Sequence, residues 1–313
     1  MATEPVPGLH IVTPLVESRP LSLAAGRRIW LKLDALQPSG SFKARGLGHA
    51  CQAHAARGAR RFVSSSGGNA GLAVACAGRM LQVPVTVVVP ETTTERAKAL
   101  LRQEGADVIV HGASWQEANG HAQALLGEGD AFLHPFDDPL AWAGHATLVD
   151  ELARAGLKPD AVVLSVGGGG LLAGVAQGLR QQGWADVPIV AVETEGAASL
   201  HAAMQAGVPV ELPRIASVAT SLGAKRVCDE ALRVAQTQPV RSVLVHDLQA
   251  LQACERFLDD HRLLVEPACG AALALAYGRA PELEGFAQVL VVVCGGATAT
   301  IDQIRQWRAA AAG

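Results

Sequence analysis

Pro38-Ser39-Gly40-Ser41-Phe42-Lys43-Ala44-Arg45-Gly46 is the stretch around which the chain is organised. It follows the alternating run Ile29-Trp30-Leu31-Lys32-Leu33, which reads as a strand, and it opens an Ala/Gly/His-rich segment that reads as a helix. Lys43 therefore sits at a strand-to-helix turn, where backbone N–H groups lack partners and an anionic group can dock. A lysine there, among small residues and one aromatic ring, serves as an amine nucleophile if its surroundings lower its pKa. Taken alone, it reads first as a solvated surface lysine near a helix start.

The chain has 313 residues, 50% hydrophobic and 18% charged, enough for one large or two intimate globular domains. A net charge of −3 with no basic run argues against nucleic acid and anionic membrane as partners. Residues 1–26 lack an apolar core of the kind a signal peptide needs, and the longest apolar runs are strand-sized. The six scattered cysteines form no CxxC and read as reduced cytoplasmic thiols. The ten histidines form no metal pattern; His49, Cys51 and His54 do not share a helical face.

Outward from the lysine turn, periodicity predicts an extended arm over 1–26 with a short helix at 21–25 opened by Pro20. Downstream it predicts strands at 61–64, 83–89, 107–110 and 131–134, alternating with helices at 72–81, 95–103 and 115–126. Thr92 and Thr93 are the expected caps of the second of these helices. Pro135-Phe136-Asp137-Asp138-Pro139 breaks the pattern and marks a domain crossover. Beyond it come helices at 140–155, 171–181, 248–258, 268–277 and 299–310, with strands at 161–165, 189–192, 243–245 and 289–293. Such alternation predicts an α/β fold with open, largely parallel sheets flanked by helices.

Two further strand–glycine turn–helix units carry chemistry. In Ser66-Gly67-Gly68-Asn69-Ala70-Gly71 the glycines allow close backbone approach and the Ser66 and Asn69 side chains can hold a ligand, which suits a carboxylate. Gly167-Gly168-Gly169-Gly170 leaves its N–H groups unshielded at a helix start, which suits a phosphate. Each alone is also an ordinary tight turn. The second loop fits the dinucleotide fingerprint too, through Gly168, Gly170 and Ala173, with Glu193 about twenty residues on. An NAD-dependent dehydrogenase is thus a rival reading, though it leaves the lysine turn and the Ser/Asn loop unexplained.

Together, Ser41 to Gly46, Ser66 to Gly71, Gly167 to Gly170 and Cys294-Gly295-Gly296 resemble, in order and interval, the pyridoxal-phosphate enzymes of the tryptophan-synthase-β fold type (fold type II). The Pro135 to Leu140 cluster, Leu164 to Leu172 and Leu264-Val265-Glu266-Pro267-Ala268-Cys269-Gly270-Ala271-Ala272 narrow the resemblance to the short serine dehydratases, over nearly the whole chain. It implies a large domain of residues 1–34 and 140–313, a small one of 35–139, and the cofactor in the cleft between them. It implies that Lys43 holds pyridoxal phosphate as a Schiff base, that Phe42 packs on the ring, and that Asn69 meets the ring 3-oxygen. Gly167, Gly168, Gly169 and Gly170 would take the phosphate, Cys294 would face the pyridine nitrogen, and Ser66, Gly67, Asn69 and Ala70 would bind the substrate carboxylate. A monovalent cation, K+ by preference, would be held by Gly167, Glu193, Ala197, Ser199, Leu222 and Ala224. A cytoplasmic homodimer acting on a small amino acid is the implied state.

The implied reaction is deamination of L-serine, and of L-threonine in part, by α,β-elimination of water. A thiol titrates near about 8.5 and cannot keep a proton on pyridine, so Cys294 implies a weak electron sink and prompt loss of the β-hydroxyl. Threonine dehydratases and serine racemases are the alternatives on the same fold. Racemases carry a serine where this chain has Gly67, and here no hydroxyl is offered on that face of the ring.

Overall fold

The computed structural model describes residues 8–311. In chain order its regular elements begin with β1 (Leu15–Glu17), α1 (Arg19–Ala25), β2 (Arg28–Lys32), α2 (Lys43–Ala56), β3 (Arg61–Ser64), α3 (Asn69–Leu81) and β4 (Val85–Val89). They continue with α4 (Glu95–Gln103), β5 (Asp107–Val110), α5 (Trp115–Ala124), β6 (Asp130–Phe132), α6 (Pro139–Arg154), β7 (Ala161–Ser165) and α7 (Gly170–Gln181). The last are β8 (Ile189–Thr194), α8 (Ser199–Ala206), α9 (Asp229–Thr237), β9 (Val240–Val245), α10 (Asp247–His261), α11 (Pro267–Tyr277), β10 (Gln288–Val292) and α12 (Ile301–Ala311).

The strands form two sheets. The larger has the order β1-β2-β10-β7-β8-β9 and the smaller β5-β4-β3-β6. Every pairing is parallel except β1 with β2. The all-buried strands Ala161–Ser165, Ile189–Thr194 and Val85–Val89 explain why: a parallel sheet covered by helices on both faces needs near-continuous apolar strands. The α/β expectation holds, and this topology gathers the loops of interest. The lysine turn follows β2, the Ser66 loop follows β3, the glycine loop follows β7 and Cys294 follows β10, so all four leave the carboxyl ends of parallel strands, where ligands bind in open α/β sheets.

Several expectations shift. Residues 1–7 of the expected arm lie outside the described residues; within the remainder, Leu15–Glu17 is a strand on the sheet edge. The α4 cap is Thr94, whose hydroxyl accepts from Ala97 N at 3.2 Å, and not Thr92 or Thr93. Thr93 instead closes a turn onto Pro90 O. Strand β4 starts two residues late because Val83 N bonds back to Gly78 O to finish α3, with Gln82 left-handed at φ 58°. Helices α8 and α9 had no counterpart in the periodicity reading; α9 is held by buried Ala231, Leu232 and Val234.

Candidate active site

The lysine turn is fixed from below by charge. Arg45, fully buried on α2, donates to both Asp34 oxygens at 2.8 Å and to Glu151 Oε1 and Oε2 at 2.6 and 2.9 Å. Lys32 also pairs with Glu151 and donates to Thr13 O at 2.6 Å. Two buried cations thus balance two buried anions. Burial opposes the charge on Arg45, but the two carboxylates outweigh it and raise its pKa above the ordinary value. Burial likewise pushes Glu151 up, and Arg45 and Lys32 outweigh it to leave that carboxyl below its usual value. Helix α6 can approach α2 this closely because Gly46 and Gly144 face one another; a Cβ on Gly144 would lie 2.4 Å from Arg45 O.

On this base Lys43 opens α2. Its half-buried side chain turns back, Nζ donates to Pro135 O and lies 5.0 Å from the Phe42 ring centroid. Desolvation lowers the amine to about 8, against the opposing influence of Cys228, Cys294 and Glu266. Phe42 packs against His145 with ring centroids 5.0 Å apart. His145 is fully buried and its ring nitrogens have no partner among the described residues, so burial holds it neutral, well below its usual value.

The turn is stitched to the Cys294 loop by Phe42 N to Cys294 O at 2.9 Å and Gly296 N to Gly40 O at 3.1 Å. Cys294 is buried, and a hydrogen bond with Cys269, then burial, raises its pKa well above the thiol value. It therefore presents a neutral S–H.

In the Ser66 loop, Gly68 N donates to Ser66 Oγ at 3.3 Å, while the amides of Gly67, Asn69 and Ala70 meet no acceptor among the described residues. A Cβ at Gly67 would lie 2.7 Å from Thr93 Cγ2 and 3.0 Å from its Oγ1, so a side chain here requires Thr93 to move. In the glycine loop the amides of Gly167, Gly168, Gly169 and Gly170 likewise donate to nothing among the described residues. Gly169 is at φ 92°, and a Cβ on Gly168 would lie 2.2 Å from the Phe136 ring, so larger residues are barred from the nest. These two sets of open N–H groups, an amine near 8 and a neutral thiol fit an anionic pyridine cofactor.

The six residues expected around a cation are partly gathered. Ser199 Oγ donates to Gly167 O at 3.5 Å, and the Leu222 backbone packs against Gly167. Ala224 N donates to Leu222 O at 2.8 Å, and Ala197 is buried in the turn before α8. Glu193 accepts from Leu200 N and His201 N, both at 2.8 Å, and burial still pushes it up to about 7. Both of its oxygens are turned to the first amides of α8, which weakens the dinucleotide reading. A raised carboxyl pKa penalises the fold once pH exceeds the unfolded value near about 4.5, and the penalty grows until about 7. Glu193→Gln therefore loses stability relative to the parent at pH 5, and that deficit shrinks by roughly 2 kcal/mol by pH 8. Thermal unfolding of both proteins at the two pH values, in potassium-free buffer, measures it; a constant deficit would refute the titration.

One residue of the site lay unmarked within a longer motif. Glu266 is buried, accepts from Asn69 Nδ2 at 2.7 Å and Ser221 Oγ at 3.0 Å, and is pushed up to about 7 by burial. Its signal in the sequence was a lone acid in the apolar run Leu263 to Leu275. Ser221 carried no signal at all.

A lysine turn facing two amide nests at the carboxyl edge of parallel sheets defines a phosphate-bearing cofactor enzyme, and a family model for pyridoxal-phosphate dependent enzymes matches residues 6–295. The chain belongs to that family. A human protein named L-serine dehydratase/L-threonine deaminase is 49% identical over 97% of this chain and 95% of its own length. A mouse serine dehydratase-like protein is 52% identical over 95% and 93%. The crystal structure of a fungal L-serine ammonia-lyase from Rhizomucor miehei superposes with a TM-score of 0.89 at 37% identity, covering 96% of this chain and 99% of that one.

Proposed function

We propose that the protein is an L-serine dehydratase that also accepts L-threonine, releasing pyruvate or 2-oxobutanoate together with ammonia. The observation that carries the reading is the Lys43 amine, lowered to about 8 and close enough to interact with Cys228, which bonds the glycine loop at Gly168 O, and with Glu266, which holds Asn69 of the Ser66 loop. Bound pyridoxal phosphate supplies the electron sink, with Lys43, Phe42, Asn69, the Gly167 to Gly170 amides and Cys294 to hold it. The amides of Gly67, Asn69 and Ala70, with Ser66 Oγ, orient the substrate carboxylate. The neutral Lys43 amine takes the Cα proton. The β-hydroxyl departs as water with the proton that Lys43 took from Cα, and the released enamine tautomerises and takes up water to give the keto acid and ammonia. The neutral Cys294 S–H would offer no carboxylate to keep a proton on the bound group's ring nitrogen, which would favour elimination. Purified protein forms pyruvate and ammonia from L-serine; no keto acid from either amino acid would overturn the reading. Chiral analysis of residual serine separates dehydratase from racemase, since Gly67 offers no hydroxyl, and D-serine made by the parent would favour the racemase.

The two sheets suit a division into a small domain of residues 35–139 and a large domain from the rest, with the site in the cleft. Six free, buried cysteines suit a reducing cytoplasm. No helix among the described residues is long and apolar enough to cross a membrane. A homodimer is the assembly we assign. A monovalent cation at Gly167, Glu193, Ala197, Ser199, Leu222 and Ala224 completes the proposal. Activity rises severalfold in potassium and less in sodium, because a cage built mainly of backbone carbonyls shrinks poorly around the smaller ion. Equal rates in a bulky organic cation would argue against the site.

A further inference from the structure

We propose that Glu266 is a positioning residue, and that its proton decides which end of the Asn69 amide faces the cofactor. The inference rests on the reading that Asn69 meets the cofactor's ring oxygen. Glu266 stands at the start of α11, 5% exposed, with its backbone N donating to Gly295 O at 3.2 Å. Its side chain spans the site: Oε1 takes Asn69 from the small sheet's first helix, 197 positions away in sequence, and Oε2 takes Ser221.

A carboxylate only accepts hydrogen bonds, so an amide facing it must present its nitrogen. Asn69 Nδ2 does so at 2.7 Å, and Oδ1 is left buried without a donor among the described residues. An unpartnered buried carbonyl oxygen is destabilising. One proton on Glu266 reverses the arrangement. The acid O–H donates to Asn69 Oδ1, the amide turns over, and its N–H faces the site. Ser221 adapts, since a hydroxyl both donates and accepts. A ring oxygen is an acceptor and needs that N–H, so cofactor binding and the Glu266 proton favour one another.

The groups facing Glu266 agree with this pairing. Lys43 draws the carboxyl toward its charged form, as do the bonds from Ser221 and Asn69, yet burial outweighs them and lifts it to about 7. The neighbouring thiols Cys254 and Cys294 are both pushed well above the ordinary thiol value and add no positive charge that would hold the carboxylate. Both states of Glu266 are therefore within reach at neutral pH.

The test is the affinity of the apoprotein for pyridoxal phosphate, read from the visible absorbance of the bound cofactor between pH 6 and pH 9. Glu266→Gln presents an N–H to Asn69 Oδ1 at every pH, as the protonated acid does. The parent should lose affinity through pH 7 by about tenfold more than Glu266→Gln, one pKa unit of coupling. The phosphate contributes alike to both proteins and cancels, while loss of the Glu266 charge lowers the Lys43 amine further in Glu266→Gln and is read as a shift of the break near 8, apart from the one near 7. Ser221→Ala removes a donor that favours the carboxylate and should move the parent's break to higher pH. Parallel curves for parent and Glu266→Gln would overturn the proposal, as would a lowered melting temperature with an unchanged pH profile. If Glu266→Gln does not fold, an unmoved break in Ser221→Ala overturns it. A visible band with parallel curves removes this inference alone, whereas no band in the parent removes the cofactor reading as well.

Discussion

Lys43→Ala abolishes keto-acid formation, with a loss of at least about 10³-fold from removal of the base that takes the Cα proton. It also abolishes borohydride-fixable attachment of pyridoxal phosphate. The effect is chemical and not structural. The side chain donates to Pro135 O and lies over the Phe42 ring, and its amine is held below its ordinary pKa by burial. Removing a poorly solvated amine leaves no buried charge without a partner, so the melting temperature should stay within a few degrees of the parent. Covalent attachment that survives in Lys43→Ala would mean that another amine holds the cofactor, and the assignment of Lys43 would fall.

Arg45→Met behaves in the opposite way. The guanidinium is 0% exposed and engages both Asp34 and Glu151 through two nitrogens each. Its loss leaves two buried carboxylates with Lys32 as the remaining strong cation, at a cost of about 3–5 kcal/mol. For a chain of this size that lowers the melting temperature by roughly 10 °C. Activity falls as well, because the anchored turn is the one that aims Lys43, two residues away. The dependence on pH has a definite sign. Glu151 is held below its usual value, so its contribution is complete above about 4.5 and is lost as pH falls through the depressed folded value. The gap between parent and Arg45→Met should therefore narrow in acid. A variant that melts within about 1 kcal/mol of the parent at neutral pH would show that the network contributes little.

The architecture was legible because local patterns were strong. Valine-rich runs gave most strands, and apolar runs after glycine turns gave most helices. The misses have local causes. Helix α9 is short and amphipathic, and Asp229 and Glu230 in its first turn gave no apolar lead. Thr92, Thr93 and Thr94 are equivalent caps on composition, and only the turn closed by Thr93 N onto Pro90 O leaves Thr94 to face the helix. Glu193 drew its readings from its place after a strand, and only the fold shows that its oxygens also accept from the amides of Leu200 and His201.

What the sequence determined by itself is the parts: a lysine and two glycine-rich turns at strand ends, whose backbone requirements are local and visible as residue types. The tertiary structure alone decided what those parts meet. Asn69 and Glu266 are joined across 197 positions, and Arg45 finds Glu151 across 106. Such pairings depend on which strand ends lie side by side once the sheets have formed. The shifted titration of Lys43, Glu193 and Glu266 arises from burial, which is a property of the packed molecule and of no single stretch of its chain.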